Sequence, residues 1–512
     1  MDNNEFDLRL LKSGTDLRGV ASGDSGEIQL TPERARHAAV GFAFWLSAVR
    51  EKQDEATETI KLTGGQPHQL CVAVGRDSRL MGGELAEAVR EGLRSVGARV
   101  LDVGMSTTPA LFMITQHPQF RCDAAVMVTA SHMPAKYNGL KFITQTGGLE
   151  SSELDALLKQ TASLTSQDNQ TAGLELGAPA ADRGSAGAVE RVDFIPHYLD
   201  GLTVQTVKSL GANSPLKGLH VVIDASNGGG GFYARWLESL GADISGSLNL
   251  APDGMFPAHT PNPEDAAAIK ALSDAVVSAR ADLGVILDAD CDRAALVASD
   301  GSPLYRERLI ALCADMVIRE TPGAAIVTDS VTSPALRAFI ERRGGIHCRY
   351  KRGYKNVINE AKRLNEIGTP CPLAIETSGH AAFADNRFLD DGMMLATRLI
   401  IEAVRMKREG QTLTDRIADL AVPLESLEWR ILMEDSRQRA AALDLMRSWV
   451  LNNPDAGYNL AESAEGVRAE RANGWFLLRA SLHEPLLVWN AASDTPGGIE
   501  RMKAVLTDVL SL

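Results

Sequence analysis

The chain is organised around the stretch Thr129-Ala-Ser-His-Met-Pro-Ala-Lys-Tyr-Asn-Gly-Leu-Lys141. The five residues before it, 124–128, are all apolar and predict a buried strand. That strand leads into a loop, so a hydroxyl, an imidazole and an ammonium group (Ser131, His132 and Lys141) are expected at one sheet edge. A plain strand-to-loop turn, with Asn138-Gly139 as its hairpin, explains the same residues. The stretch alone does not decide between a catalytic loop and a turn.

Length and charge narrow the class of protein. A chain of 512 residues is too long for one hydrophobic core, so several domains are expected. Apolar residues make up 45% and charged residues 23%, as in ordinary globular proteins. The net charge of −14 argues against a nucleic-acid or anionic-membrane partner. A small anionic substrate in a local basic pocket stays compatible with this charge.

Cysteine usage and the N-terminal residues predict a cytoplasmic protein. Six cysteines without a Cys-x-x-Cys pair suggest a reducing compartment and no disulfide framework. The acidic N-terminus lacks the apolar core of a signal peptide. The longest apolar patch, 38–49, is too short to span a bilayer. It predicts a helix with Thr31 as N-cap and Pro32 at its first position.

A strand–turn–helix–Gly–strand unit recurs three times and predicts three related α/β domains. The units begin with the apolar segments 70–74, 219–224 and 324–329, and their second strands follow at 99–103, 241–244 and 344–350. The glycine-rich turn 227–231 lacks both the Gly-x-Gly-x-x-Gly spacing and a P-loop lysine, so it is assigned a packing or turn role. Residues 164–188 lack apolar periodicity and are interpreted as a flexible insertion or linker.

A second group of chemically active residues follows the apolar run 283–287. Asp288, Asp290 and Asp292 stand at alternate positions where this predicted strand ends. Three crowded carboxylates repel one another unless a cation lies among them, and hard oxygen ligands select Mg²⁺ or Ca²⁺. A solvated acidic turn is the alternative, but it leaves the crowding at the carboxyl end of a buried strand unexplained.

The serine stretch closely resembles the phosphoserine loop of the α-D-phosphohexomutases, Thr-Ala-Ser-His-Asn-Pro followed by Tyr-Asn-Gly-x-Lys, with Met133 in place of Asn. Similar matches cover nearly the whole chain. They include Gly14-Thr-Asp-Leu-Arg-Gly19, Gly75-Arg-Asp-Ser-Arg79 and the acidic loop 288–293, where Ala289 and Cys291 replace two glycines. The resemblance implies that Ser131 carries a phosphoryl group and shares a Mg²⁺ ion with Asp288, Asp290 and Asp292.

The same resemblance implies roles for nearby charged residues. Arg18 is expected near the phosphoserine, and His132 and Lys141 are expected at the catalytic site. Arg293 is expected to contact substrate. Lys141, Arg18 or His380 could supply acid–base catalysis, and the sequence does not choose among them. The charged residues of the 75–79 motif are expected to be structural.

Three later segments resemble the family's sugar-phosphate contacts. A basic segment, 350–355, opens a predicted helix and predicts either an anion contact through Lys355 or a solvated turn. Sugar hydroxyls are expected at Glu376, Ser378 and His380, where Ile375 replaces a family glycine. Phosphate is expected at Arg479 and Ser481. Here Leu482 and His483 replace Asn-Thr, and segment 486–492 lacks the family's usual basic residue.

The expected fold is α/β, with three related α/β domains containing mixed sheets and a smaller C-terminal α+β domain around a central active-site cleft. The predicted limits are 1–189 for the phosphoserine domain, 190–303 for the metal domain, 304–423 for the sugar domain and 424–512 for the phosphate domain.

The activity implied by the resemblance is that of a phosphohexomutase. It would interconvert hexose 1-phosphate and hexose 6-phosphate, of mannose or glucose, through the phosphoserine and a bisphosphate intermediate. Mg²⁺ and a hexose 1,6-bisphosphate activator are the implied cofactors, a small-molecule sugar phosphate is the partner, and the chain is expected to be a monomer or dimer. The alternatives are a phosphoglucosamine mutase, a sugar-phosphate-binding homologue that has lost turnover, and a Mg²⁺ phosphatase.

Overall fold

The computed structural model describes residues 7–23, 27–57, 69–165, 187–211, 214–433, 435–481 and 486–511. The chain divides into two compact units. The first comprises Met1–Pro303 and Asp391–Val404, and the second comprises Leu304–Asp390 and Arg405–Leu512.

The described residues form α-helices that lie between and beside the strands. In chain order they are α1 Pro32–Thr57, α2 Gly82–Ser95, α3 Thr108–Gln116, α4 Ser151–Thr165, α5 Ile195–Leu210, α6 Phe232–Ser239, α7 Ala266–Ala279, α8 Glu307–Glu320, α9 Pro334–Arg342, α10 Tyr354–Glu366, α11 Gly392–Arg408, α12 Leu413–Arg416, α13 Ser436–Asn452 and α14 Gly498–Leu510.

The first sheet has eight strands with both parallel and antiparallel pairs. They are β1 Lys12–Ser13, β2 Asp16–Val20, β3 Cys71–Arg76, β4 Arg99–Met105, β5 Ala124–Val128, β6 Tyr137–Thr144, β7 Gly147–Gly148 and β8 Val189–Arg191. The order is β1-β2-β6-β5-β3-β4-β8, with β7 beside β6. β5 has the predicted bounds, and every one of its residues is buried. This strand therefore carries the serine loop on a rigid base.

The hairpin alternative for Asn138-Gly139 is wrong. Both residues lie inside β6, where they pair with Gly19 and Arg18 of β2. A Cβ atom at Gly139 would lie 2.4 Å from the carbonyl oxygen of Leu17, so the close approach of the two strands requires glycine. The chain reverses earlier, between β5 and β6.

The long helix α1 covers the first sheet. It begins as predicted, with the Thr31 hydroxyl accepting a hydrogen bond from the Arg34 backbone nitrogen at 3.2 Å. It ends at Thr57, well beyond the apolar patch that predicted it. Phe42 packs on Phe142 of β6 with ring centroids 4.8 Å apart. This apolar contact joins the helix to the sheet that bears the serine loop.

The second sheet is smaller and holds the acidic loop. Its order is β12-β11-β10-β9, with β9 Val221–Asp224, β10 Leu283–Leu287, β11 Ala294–Ala298 and β12 Pro303–Leu304. The predicted second strand at 241–244 is wrong, because this segment makes only an isolated bridge between His220 and Asp243. Positive φ angles at Gly246 (83°) and Asn249 (51°) turn the chain away from an extended course.

The glycine-rich turn has the predicted packing role. Gly229 to Gly231 form a short 3₁₀ turn before α6. A Cβ atom at Gly231 would lie 2.0 Å from the Leu250 carbonyl oxygen, and one at Gly228 would lie 2.6 Å from the Ala289 backbone. The turn therefore lets the backbone of the acidic loop come close.

The second unit contains a mixed sheet and an antiparallel sheet. The mixed sheet has the order β14-β13-β15-β16-β17, from β13 Ala325–Thr328, β14 Ile346–Arg349, β15 Leu373–Ile375, β16 Ala381–Phe383 and β17 Leu389–Asp390. The antiparallel sheet has the order β18-β22-β21-β20-β19, from β18 Glu425–Leu432, β19 Asn459–Leu460, β20 Val467–Arg471, β21 Gly474–Ala480 and β22 Leu486–Ser493. With α13 and α14 packed on the antiparallel sheet, the C-terminal part is α+β, and the α/β class predicted for the chain is confirmed.

The predicted linker, residues 164–188, lies mostly outside the described residues, which end at 165 and resume at 187. The domain limits stay predictions. The strand Val189–Arg191, which lies across the first predicted limit, pairs with β4 in the first sheet.

All six cysteines lie in the described part of the chain, where each is a free thiol. The Sγ atoms of Cys71 and Cys122 lie 3.7 Å apart. Among the helices of the described residues, none has the length and apolar character needed to cross a membrane.

Candidate functional site

Ser131 lies at the turn that follows β5. Its side chain is fully buried, and its φ of 50° belongs to the left-handed region that non-glycine residues rarely adopt. The hydroxyl donates a hydrogen bond to Asp288 Oδ2 at 2.8 Å, and its Oγ lies 3.4 Å from the Nδ1 atom of His132. The structure thus places the predicted nucleophile directly against the predicted metal loop, 157 positions away in sequence.

Arg79 holds the serine loop in this conformation. Its guanidinium donates to four backbone carbonyl oxygens of the segment from Ser131 to Tyr137, at distances between 2.6 and 3.0 Å. Asp77 in turn accepts from the Arg79 backbone nitrogen at 3.0 Å and from the Thr129 hydroxyl at 2.7 Å. Both charged side chains are buried, and burial raises the pKa of Asp77. The pair stabilises the loop, in agreement with the structural role expected for this motif.

We expect the Arg79→Met variant to lose about 3–5 kcal/mol of unfolding free energy. Removing the guanidinium leaves four loop carbonyl oxygens without their donor, and the buried Asp77 carboxylate loses its cationic partner, the Arg79 Nε atom at 3.2 Å. Urea titration followed by circular dichroism measures the change. Lys136→Met is the matched control, because Lys136 lies exposed in the same loop, and it should cost about 0.5 kcal/mol or less. Equal stability of the two variants would show that Arg79 does not stabilise the serine loop.

The acidic cluster, defined as Asp288, Asp290 and Asp292, lies in the loop between β10 and β11. All three side chains are buried, and one carboxylate oxygen from each lies within 4.8 Å of the others. Burial, with the charges of Asp292 and Asp290, raises the pKa of Asp288 well above its ordinary value. The cluster is therefore electrostatically strained on its own.

The cluster can hold a metal ion. The Asp290 Oδ1 atom is buried and has no hydrogen-bond partner among the described residues, although buried carboxylate oxygens are normally satisfied. Three carboxylates and the Ser131 hydroxyl form a set of hard oxygen donors, which suits Mg²⁺ or a similar divalent cation and not a soft metal. The Cys291 thiol donates to the Asp288 carbonyl at 3.7 Å, and burial raises its pKa well above the ordinary value, so it is a poor thiolate ligand.

Three predicted cationic residues lie around the cluster. The Lys141 ammonium, buried on β6, lies 3.1 Å from Asp290 Oδ2 and 2.6 Å from Asp292 Oδ2. The Arg293 Nε atom lies 3.8 Å from Asp288 Oδ2. Burial opposes the charge of Arg18, but the nearby carboxylates, Asp16 first among them, outweigh it and raise the pKa of Arg18. These cations partly neutralise the cluster and form a surrounding that can accept a phosphoryl group.

Sequence reasoning missed Thr108. Its hydroxyl donates to Asp290 Oδ2 at 2.6 Å, and its backbone nitrogen donates to the Asp290 carbonyl at 2.9 Å. Thr108 is the first residue of α3, and Thr107 caps that helix with Pro109 behind it. This Thr-Thr-Pro pattern signals a helix start. The pattern does not predict that Thr108 contacts Asp290, which lies 182 positions away in the sequence.

The predicted sugar residues come together in the second unit. The Ser378 hydroxyl lies 2.9 Å from His380 Nδ1, which lies 3.5 Å from Glu376 Oε2. Burial opposes the charge of Glu376, but the hydrogen bond and charge of His380 outweigh it and lower the pKa of Glu376. The loop between β15 and β16 thus presents an ionised carboxylate beside a hydroxyl and an imidazole, a donor and acceptor set suited to sugar hydroxyls.

The remaining predicted contacts lie on two other elements of this unit. Lys355 is in the first turn of α10, and Arg479 lies near the end of β21 with 5% of its surface exposed. The Ser481 backbone nitrogen donates to the Leu486 carbonyl at 2.9 Å. Leu482 and His483, the two altered loop positions, lie outside the described residues.

Three family models match most of the chain. They describe α/β/α domains I, II and III of phosphoglucomutase/phosphomannomutase and match residues 11–168, 196–301 and 306–423. The first contains Ser131, the second contains the acidic cluster, and the third contains the loop with Glu376. The serine loop, the acidic cluster and the predicted sugar-binding loop thus fall in domains I, II and III in that order.

Whole-chain relatives agree with the models. The chain is 32% identical to a phosphomannomutase/phosphoglucomutase of Pseudomonas aeruginosa, over 97% of this chain and 94% of that protein. It is 29% identical to a phosphoglucomutase/phosphomannomutase of Thermococcus kodakarensis, over 92% of each chain. A crystal structure of a phosphoglucomutase/phosphomannomutase family protein from Burkholderia thailandensis superposes with a TM-score of 0.76 at 25% identity, covering 100% of this chain and 98% of that one. The chain therefore belongs to the phosphoglucomutase/phosphomannomutase family, the α-D-phosphohexomutases, and is an isomerase that moves phosphate on a hexose phosphate.

Proposed function

We propose that the enzyme interconverts the 1-phosphate and 6-phosphate of glucose or mannose, with Ser131 as the residue that carries the phosphoryl group. The observation that carries the proposal is the 2.8 Å hydrogen bond from the Ser131 hydroxyl to Asp288, at the edge of a buried carboxylate cluster suited to Mg²⁺. The names of the relatives, phosphomannomutase/phosphoglucomutase, support the choice of these two sugars.

In the proposed cycle, the phosphoserine transfers its phosphoryl group to the free hydroxyl of the sugar phosphate. The Oγ–P bond breaks as the sugar O–P bond forms, and the sugar hydroxyl gives its proton to a base. The resulting hexose 1,6-bisphosphate then turns round, so that its other phosphate faces Ser131. The bond between that phosphorus and its sugar oxygen breaks as the Oγ–P bond forms again, and the proton lost from the Ser131 hydroxyl is returned to the departing sugar oxygen. A bisphosphate activator would keep Ser131 phosphorylated between turnovers.

The chain's own residues would position both transfers. A Mg²⁺ ion held by the three carboxylates and Ser131 would supply charge neutralisation at the transferred phosphoryl group. Lys141, Arg18 and Arg293 would bind its equatorial oxygens, because each carries a cation beside the acidic cluster. His132, whose Nδ1 atom lies 3.4 Å from the Ser131 Oγ atom, would belong to the same catalytic site. Glu376, Ser378 and His380 would orient the sugar ring, and Lys355, Arg479 and Ser481 would bind the phosphate that does not react.

Coupled assays test this function directly. Purified enzyme is given glucose, mannose and glucosamine 1-phosphates, each with and without the matching 1,6-bisphosphate and with Mg²⁺. Formation of the 6-phosphate, stimulated by the bisphosphate, is the expected result, and the preferred sugar separates this proposal from a phosphoglucosamine mutase. Release of inorganic phosphate instead would indicate a phosphatase, and binding without product would indicate lost turnover.

We further propose a cytoplasmic enzyme that acts as a monomer or dimer.

We expect Arg479→Ala to raise the KM for the sugar phosphate by about 10–100-fold. A charge-assisted hydrogen bond contributes about 1.5–3 kcal/mol, and 1.4 kcal/mol corresponds to a factor of ten. Steady-state kinetics measure the change. Arg430→Ala is the control, because Arg430 lies on the same antiparallel sheet with 61% of its side chain exposed, and its KM should stay within about twofold. An unchanged KM and kcat in Arg479→Ala would show that β21 does not bind the substrate's phosphate.

A further inference from the structure

Two cysteines that the proposed reaction does not use lie side by side in the first sheet. Cys71 is the first residue of β3, and Cys122 lies two residues before β5, the neighbouring parallel strand. Their Sγ atoms are 3.7 Å apart. Cys71 has 5% of its surface exposed, and Cys122 is fully buried. Buried thiols often pack as small apolar groups, so the contact by itself does not assign a role.

Backbone contacts hold the two thiols in this position. The Cys71 backbone nitrogen donates to the carboxylate of Asp123, the residue after Cys122, at 2.8 Å. The Asp123 backbone nitrogen donates to the Cys71 carbonyl oxygen at 2.8 Å, and the Gln145 side chain donates to the Cys122 carbonyl oxygen at 3.0 Å. A disulfide holds its sulfur atoms about 2.05 Å apart. Because the backbones already lie on adjacent strands, forming this bond requires mainly rotation of the two side chains.

Arg99 places a positive charge next to the pair. It is the first residue of β4 and lies opposite Cys71 in the register of the two strands. One guanidinium nitrogen donates to Cys71 Sγ at 3.7 Å, and another lies 2.5 Å from Glu190 Oε2. The Arg99 side chain is 37% exposed. The Cys71 sulfur therefore contacts a cationic side chain that solvent reaches.

The electrostatics of Cys71 differ from those of three other thiols in the described part of the chain. The hydrogen bond from the Cys122 thiol, helped by the charge of Arg99, outweighs burial and lowers the pKa of Cys71. Burial raises the pKa of Cys291, Cys348 and Cys371. Thiols that react with oxidants are those with thiolate character next to a cation, often beside a second, resolving thiol. Cys71 and Cys122 together have these surroundings.

We propose that Cys71 and Cys122 form a reversible oxidation site whose substrate is a hydroperoxide. The product is an intramolecular disulfide between β3 and the segment that leads into β5. The site is separate from the proposed phosphoryl transfer, because it lies where these strands begin, whereas Ser131 follows the end of β5. A reducing compartment keeps the pair as thiols, the form seen in the structure, until a peroxide is present.

Oxidation proceeds in two steps. In the first, the Cys71 thiolate attacks one peroxide oxygen, so an S–O bond forms, the O–O bond breaks, and the departing hydroxide takes up the proton that Cys71 released. In the second, the Cys122 sulfur attacks the Cys71 sulfenic acid, so the S–S bond forms, the S–O bond breaks, and the departing hydroxide takes the Cys122 proton. The two thiols thus give two electrons to hydrogen peroxide, which becomes two water molecules.

The unaltered full-length protein tests the site without any substitution. It is treated with hydrogen peroxide, its remaining thiols are blocked with iodoacetamide in denaturant, and it is digested without reduction for mass spectrometry. We expect a disulfide-linked peptide pair containing Cys71 and Cys122, an intact mass lower by about 2 Da, and reversal of both by dithiothreitol. Cys371, whose buried thiol donates to the Leu373 carbonyl oxygen, is the internal control and should still be labelled.

Variants separate the roles of the two thiols and of the arginine. In Cys122→Ser, Cys71 should stop at the sulfenic acid, which dimedone traps, and in Cys71→Ser the Cys122 thiol should stay reduced. Arg99→Met should slow disulfide formation by about threefold or more, because less thiolate is present. Arg121→Met is the matched control, since Arg121 is exposed beside Cys122 in the sequence, and its rate should stay within about twofold. Thermal melting checks the folding of each variant.

The peroxide experiment on the unaltered protein decides the outcome even if a variant does not fold. The inference is overturned if Cys71 and Cys122 remain thiols after treatment, or if they oxidise no faster than Cys371. Sulfenic or sulfinic acid on Cys71 without the disulfide also overturns it, because Cys122 would then not be the resolving thiol. Equal rates in Arg99→Met and Arg121→Met would show that Arg99 does not activate Cys71.

Discussion

Replacing Ser131 with alanine is expected to lower kcat by about 10⁴-fold or more while leaving the protein folded. Loss of a nucleophile removes the covalent path, and such losses reach 10⁴ to 10⁶ in other enzymes. The hydroxyl donates a hydrogen bond to Asp288 and lies 3.4 Å from His132 Nδ1, whereas the conformation of the loop depends on Arg79 and Asp77. The coupled mutase assay measures the rate. Intact-protein mass spectrometry should show one phosphate adduct in the unaltered protein and none in the variant.

Ser106→Ala is the matched control for this experiment. Ser106 is also fully buried in the first unit, and its Oγ atom has no hydrogen-bond partner among the described residues. Its variant should keep both the activity and the phosphate adduct. Near-normal turnover by Ser131→Ala, or a phosphate adduct that persists in it, would remove Ser131 from the reaction.

The strands that carry this site are easier to predict from the sequence than the side-chain contacts between distant residues that complete it. The strands β5 and β10 are apolar throughout and end in turns, so their positions follow from composition and periodicity. The resemblance to the phosphohexomutases then implies that the serine and the acidic loop meet. The structure brings them together at 2.8 Å, although their catalytic roles stay predictions.

The remaining features depend on tertiary contacts that spacing does not encode. The Arg79 guanidinium bonds carbonyl oxygens more than 50 positions away, and Cys71 lies against Cys122 across 51 positions. The error at 241–244 has another cause. A Gly-Ala-Asp-Ile segment fits a strand locally, but the left-handed residues that follow it prevent continuous pairing. Local propensity predicted a strand at 241–244, but the left-handed residues after it allow only an isolated bridge.

Asp290→Asn is expected to weaken Mg²⁺ binding by about 100-fold or more and to lower the rate accordingly at ordinary Mg²⁺ concentrations. Residues that only support metal ligands contribute factors of 10–100, and Asp290 would be a ligand itself. The substitution replaces one of three carboxylates by a neutral amide. Thr108 and Lys141, which contact Asp290 Oδ2 at 2.6 and 3.1 Å, would still hold the side chain in place. Two measurements follow the effect: the Mg²⁺ concentration for half-maximal activity, and direct calorimetric titration of metal-free protein.

Asp224→Asn serves as the control because Asp224 is equally buried at the end of the neighbouring strand β9. Its carboxylate accepts from the Ser226 backbone nitrogen at 2.8 Å and lies 2.9 Å from His259 Nε2, so it belongs to a different set of contacts. Its half-saturating Mg²⁺ concentration should match that of the unaltered protein. The calorimetric titration reports on the cluster even if turnover is lost, since it needs no substrate. Activity that survives thorough chelation in the unaltered protein, or equal Mg²⁺ affinity in Asp290→Asn, would show that the acidic cluster is not the metal site of this enzyme.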